Sequence, residues 1–217
     1  MRHVACDICG KDDAELYAER PPSPAALHVR FVRCRGCGFV YADPRVDVAE
    51  ARAFYSSVED RGSSAAGAPT ESEEWRRAVA GRRAHLEWAV QRLADPGAAT
   101  FLDIGFGDGS ALVAARELGW HAHGIEYGDW LVDAARRRLE LDTVYDVDLA
   151  HVPLLPGSVD VVYAWHVIEH VLDVREWLSQ IAALLKPGGV VILGTENAGA
   201  LAGRLHVAGF RLLGRVP

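Results

Sequence analysis

From residue 100 to residue 195, short apolar runs alternate with stretches in which apolar positions recur every three or four residues. The runs predict strands at Thr100–Ile104, His121–Glu126, Thr143–Asp146, Val159–Trp165 and Val190–Thr195. The spaced positions predict helices from Ser110, at Trp130–Leu139 and at Val174–Leu184. Such alternation gives a parallel sheet, and right-handed crossovers place helices on both of its faces. Upstream, Trp75, Val79, Leu86, Val90 and Leu93 recur at helical spacing, so a helix begins near Glu71 and is stopped by Asp95-Pro96-Gly97. On that helix Trp75 and His85 are candidate substrate contacts, although a Trp at helical spacing reads first as packing. A short helix is expected over Ala49–Tyr55, and residues 61–70, rich in Gly, Ser and Ala, read as a loop.

Within this pattern the run Phe101-Leu102-Asp103-Ile104-Gly105-Phe106-Gly107-Asp108-Gly109 starts as a strand and breaks into alternating glycines. Their missing side chains let backbone N–H groups approach a ligand just before a helix begins. The next strand ends at Gly124-Ile125-Glu126, which puts a carboxylate beside the glycine loop, where it can accept both hydroxyls of a ribose. A dinucleotide fingerprint would need a third glycine at the position of Ser110, and the acid at Asp103 sits badly beside a diphosphate. Asp103 suits a cationic ligand instead.

Two further segments follow. Asp148-Leu-Ala-His-Val-Pro153-Leu-Leu-Pro-Gly-Ser-Val-Asp160 places an acid after the third strand and another at the opening of the fourth, and Leu185-Lys186-Pro187-Gly188-Gly189 forms a turn that launches the fifth. Together these motifs resemble the class I S-adenosylmethionine-dependent methyltransferases, from about Arg82 to the C-terminus. The resemblance implies a Rossmann-like α/β domain that binds the cofactor through Asp103, Gly105, Gly107, Gly109, Glu126 and Asp148. In that scheme Asp148 bonds the adenine amino group, with Asp146 as the alternative. It also places Trp165-His166-Val167-Ile168-Glu169-His170-Val171 beside the transferred methyl group. The transfer is an in-line displacement, so the protein aligns the acceptor and removes a proton from it. His170 is the first candidate base and His166 the second, with Glu169 orienting either. In some relatives a Glu-His pair here holds a divalent metal, which would make His166, Glu169 and His170 ligands; a shared structural role for Glu169-His170 is the other reading. The family continues past the fifth strand through further strands, whereas this sequence soon stops. The resemblance therefore implies a domain lacking its last strands, with a sheet edge that a partner chain or second copy would cover.

All four cysteines fall in the first 37 residues, as Cys6-x-x-Cys9 and Cys34-x-x-Cys37, each pair followed by glycine. Two such knuckles bring four thiolates into a tetrahedron, so the reading is a structural zinc site, closed to substrate. The surrounding words, Val32 to Tyr41 and Asp43-Pro44, are similar to the zinc-binding region that precedes many bacterial methyltransferases, sugar C-methyltransferases among them. The organisation expected is a zinc-ribbon-like module over 1–45, linker and lid helices over 46–98 and the methyltransferase domain over 99–217.

Composition narrows the partners. A net charge of −7 argues against a phosphate backbone as the main partner. There is no apolar run of membrane-spanning length and no signal peptide, so a cytoplasmic location is expected. The function expected is methyl transfer to a small molecule, such as a nucleotide-linked sugar or glycan-pathway intermediate. The alternatives are an RNA methyltransferase, or a noncatalytic cofactor-binding protein acting through its zinc module.

Overall fold

The computed structural model describes residues 2–20, 29–47, 49–50, 72–195 and 197, and the described residues form two compact units. The first comprises the N-terminal residues together with Leu172–Arg175. It holds a three-stranded antiparallel sheet, β1 (Ala14–Arg20), β2 (Val29–Cys34) and β3 (Val40–Ala42), in that order. Its core is small: Cys6, Val32, Cys34 and Tyr41 are the buried residues, with Val4 and Phe39 packed against them. Beside this core the buried Arg45 pairs with Asp7 at 2.7 Å and lies over the Tyr41 ring. So few apolar side chains are a weak basis for a stable sheet, since small cores bury too little surface to offset chain entropy.

The second unit carries the α/β pattern. In chain order it runs α1 (Glu73–Val90), β4 (Thr100–Ile104), α2 (Ser110–Glu117), β5 (His121–Ile125), α3 (Asp129–Leu139), β6 (Val144–Tyr145), β7 (Val159–Trp165), α4 (Val174–Leu184, whose first two residues fall in the other unit) and β8 (Leu185–Gly194). The strands form one parallel sheet in the order β6-β5-β4-β7-β8. Side chains alternate across it with period two. Phe101, Val161 and Tyr163 pack on one face with Trp75, Val79 and Leu86 of α1, Leu112 of α2 and Val132 of α3. Leu102, Ile104, Val162 and Ala164 pack on the other with Trp177, Ile181 and Leu184 of α4. Helices cover both faces, as the sequence implied.

Local chemistry sets the ends of these elements. Ser72 caps α1, its hydroxyl accepting the Trp75 N–H at 3.1 Å, and Glu73 and Glu74 complement the helix dipole. Asp160 holds the foot of the sheet: its carboxylate accepts from the Thr100 N–H at 2.8 Å and from Lys186 Nζ at 2.6 Å. Two boundaries differ from expectation. β6 is only two residues long, and β8 begins at Leu185, so Pro187-Gly188-Gly189 lies within the strand rather than before it. There β8 bulges: Val159 is opposite Leu185, but Val161 is opposite Val190.

β8 is the edge of the sheet among the described residues, with Val191 and Leu193 exposed on it. No helix among the described residues is long and apolar enough to cross a membrane. Most of the helix expected over Ala49–Tyr55, the loop at 61–70 and the segment from 198 onward lie outside the described residues.

Candidate active site

β4 ends at Ile104, and the chain turns through the glycines into α2. Gly105 N–H donates to the Ile125 carbonyl at 2.8 Å, which ties the loop to the neighbouring strand. Gly107 adopts φ +52, and a Cβ added there would meet nothing within 4 Å. That open space is where a ligand can approach the main chain. Gly109 caps α2 with φ +78, and a Cβ there would press on the Leu139 side chain, so this glycine serves packing between α2 and α3.

Glu126 lies one residue past β5 and carries both links of the predicted pocket. Its carboxylate accepts the Gly107 N–H at 2.9 Å and its own neighbour's N–H, from Tyr127, at 2.8 Å. Burial pushes its pKa up against the pull of these two donors. Asp103 is 2% exposed, beside Tyr163 in the β4–β7 register. Burial raises its pKa above the ordinary carboxylate value, while the Arg82 guanidinium opposes that rise.

Asp103, Gly105, Gly107 and His166 line one cavity of about 220 Å³, together with Arg82, Phe106, Asp108, Tyr163 and Trp165. Gly109, Glu126, Asp148, Glu169 and His170 are not among its lining residues. Asp148 stands before the turn Leu149–His151, and its Oδ1 is buried with no hydrogen-bond partner among the described residues. The alternative, Asp146, accepts from the Gly128 N–H at 3.4 Å.

Arg82 was not singled out by the sequence, although it and His85 are three apart and share a helix face. α1 lays that face over the strand ends. Arg82 Nη1 donates to the Tyr163 hydroxyl at 3.1 Å, and His85 Nδ1 lies 3.0 Å from the same oxygen. The His85 ring stacks on Trp165 with centroids 4.4 Å apart, and Arg82 lies over the same indole. His85 thus orients the cavity wall without being one of its lining residues. Trp75 is buried in the core, with Arg138 over its ring, which is the packing role expected of it.

After β7 the candidate catalytic segment makes a tight bend. His166 adopts φ +57 and its N–H donates to the Gly194 carbonyl at 2.8 Å. Its Nδ1 is 3.1 Å from Glu169 Oε1, and Glu169 Oε2 accepts from Thr195 Oγ1 at 2.9 Å. Burial would raise the Glu169 pKa, but its own backbone N–H, Thr195, His166 and the nearby His170 together hold it below the ordinary value.

Among the described residues, the cysteines are the group of three or more His, Cys, Asp or Glu whose donor atoms converge as for a metal ion. The Sγ atoms of Cys6, Cys9, Cys34 and Cys37 all lie within 4.8 Å of one another, and no disulfide joins them. Cys6 and Cys37 approach to 3.5 Å, as do Cys9 and Cys34. A tetrahedral zinc with bonds of about 2.3 Å spaces its sulfurs by about 3.8 Å, so the four thiols fit that ion. His166, Glu169 and His170 do not form such a group.

Comparison with known proteins places this geometry. The ubiquinone biosynthesis O-methyltransferase of Xanthomonas campestris pv. campestris is 35% identical over 136 residues, which is 60% of this chain and 56% of that protein. The enzyme of the same name from Paramagnetospirillum magneticum is 37% identical over 122 residues, covering 54% of this chain and 49% of its own. The chain therefore spans about half the length of the curated relatives it matches. Among solved structures, the cyclase SpnF superposes with a TM-score of 0.53 at 23% identity, over 69% of this chain and 60% of that one, a likeness of fold. The family model described as a methyltransferase domain matches residues 76–212, more than half of the sequence, and the chain belongs to that family.

Proposed function

We propose that this protein transfers a methyl group from S-adenosylmethionine to a small-molecule acceptor. The observation that carries the reading is the pairing of Asp103 and Arg82 in one cavity beside Gly105 and Gly107. A bound ammonium group would favour the ionised form of Asp103 against its burial, so this acid and the Arg82 guanidinium, lining the same space, complement a zwitterion, and the cofactor's amino-acid end is one. Other features agree with the rest of the molecule. Glu126 is held at the glycine loop, where it would accept the ribose hydroxyls, and the unpartnered Asp148 Oδ1 would accept from the adenine amino group. When bound, the cofactor supplies an electrophilic methyl carbon, whose bonding pair to sulfur stays with sulfur. The chain's own task is to align the acceptor and take its proton. Of the two candidate histidines, His166 lines the cavity and is favoured over His170.

Relatives named O-methyltransferases support a hydroxyl as the acceptor, and nucleotide-linked sugars or other glycan-pathway intermediates are the classes to try first. The four cysteines are proposed to hold a structural zinc ion. Calorimetric titration with S-adenosylmethionine and its demethylated product, followed by a methyl-donor turnover screen, tests the proposal. Saturable binding with turnover is expected. Binding without turnover on any small acceptor would favour a noncatalytic role, and absence of heat in folded protein would overturn cofactor binding itself.

A further inference from the structure

We infer that Thr195 and Glu169 position His166 as the proton acceptor of the transfer; the inference rests on the function proposed above. Three separate pieces of the fold meet to make this arrangement: the end of β7 gives His166, the following turn gives Glu169, and the end of β8 gives Thr195. The contacts run in series, Thr195 Oγ1 to Glu169 Oε2 at 2.9 Å and Glu169 Oε1 to His166 Nδ1 at 3.1 Å. An ionised carboxylate only accepts hydrogen bonds, so this contact assigns the imidazole hydrogen to Nδ1. Nε2 is left with its lone pair, as a base requires. Thr195 occupies the other carboxylate oxygen and stops Glu169 from turning away.

The backbone supports the same reading. Left-handed φ at a non-glycine residue costs free energy, and His166 is held there by its bond to the Gly194 carbonyl, one residue before Thr195. A half-exposed imidazole–carboxylate pair contributes little to stability, so strain kept for its sake is better explained by orientation than by folding. The charged groups sharing the cavity with His166 are Arg82, Asp103 and Asp108, and His170 approaches Glu169. In the step itself, the acceptor hydroxyl gives its proton to Nε2 as its oxygen bonds the methyl carbon and the carbon–sulfur bond breaks, its electron pair staying on sulfur. Glu169 stabilises the resulting imidazolium, which releases the proton to solvent as product leaves.

The test compares full-length wild type with Thr195→Val, Thr195→Ser and Glu169→Gln. Nitrogen shifts of labelled histidine, recorded without cofactor, report the tautomer of His166 and show whether each variant is folded. Turnover is measured with an acceptor found in the screen. Expected is a mixed His166 tautomer in Thr195→Val and Glu169→Gln. kcat should fall roughly tenfold, with the KM for cofactor unchanged. Thr195→Ser should restore both readouts. An unchanged His166 tautomer, or an unchanged kcat, in folded Thr195→Val and Glu169→Gln would overturn the inference. Failure of the underlying function is read separately, as absent cofactor binding by wild type in calorimetry.

Discussion

The backbone N–H of Gly107 donates to the carboxylate of Glu126 at 2.9 Å, joining the glycine loop after β4 to the acid that ends β5. Two separate sequence words thus become one surface, because parallel register sets Ile104 opposite Ile125 and brings both strand ends level. Removing that carboxylate should cost the adenosine site about 1–3 kcal/mol of affinity, since a charged hydrogen-bonding group is lost and the Gly107 N–H is left without its acceptor. Calorimetry on Glu126→Ala with S-adenosylmethionine checks this, and unchanged affinity would remove Glu126 from the site.

The glycines should separate by role. Alanine at Gly105 or Gly109 places a Cβ 2.7 Å from Val167 Cγ2 or 2.4 Å from Leu139 Cδ1. Each should destabilise the fold by about 1–3 kcal/mol in denaturant melts. At Gly107 nothing stands within 4 Å. Gly107→Ala should therefore lose only about 1–2 kcal/mol of stability, from φ alone, yet weaken cofactor binding more than either of the others.

Acid should loosen the second unit through His85. Arg82 donates to the Tyr163 oxygen, leaving the phenol hydrogen to bond a neutral His85. Burial, and then the Arg82 charge, hold the His85 pKa below its ordinary value. The unfolded chain therefore binds the proton first: the stabilising effect is complete above about pH 6.5 and is lost as pH falls through and below that value. Melting temperature should drop between pH 7.5 and pH 5.5, and less steeply in His85→Gln. His123, lowered by its own burial and by His121, adds a contribution of the same sign that the comparison cancels.

Protein purified without added metal should carry zinc by emission spectroscopy, and Cys34→Ser should lose it. Chelation should melt the N-terminal sheet as seen by circular dichroism, because its four-residue apolar core leaves the metal as its main support. An unaltered spectrum after complete zinc removal would assign the fold of this unit to something other than the metal.

Much of this was legible in the sequence, for identifiable reasons. Thr100–Ile104 and Val159–Trp165 are strands over the residues predicted, since central parallel strands are buried on both faces and read as near-continuous apolar runs, interrupted here only by Asp103 and Asp160. α4 also matches, its Trp177, Ile181 and Leu184 recurring at helical spacing. The antiparallel sheet of the first unit was not foreseen, because exposed Leu16 and Tyr17 on β1 give no alternation to read. Within the site, Asp103, the glycine loop and His166 were found by motif. Arg82 was not, since its role comes from α1 crossing the ends of β4 and β7, and sequence spacing carries no trace of that crossing.

The bulge in β8 has an effect on tolerated change. Between Val159 and Val161 β7 advances two residues while β8 advances five, from Leu185 to Val190. The odd surplus sets the phase of everything downstream. Losing or gaining a single residue between Lys186 and Gly189 would exchange inward and outward positions from Val190 to Gly194, and would carry Thr195 off its carboxylate. This stretch should therefore accept length variation only in pairs, however exposed Lys186, Pro187 and Gly188 are to solvent.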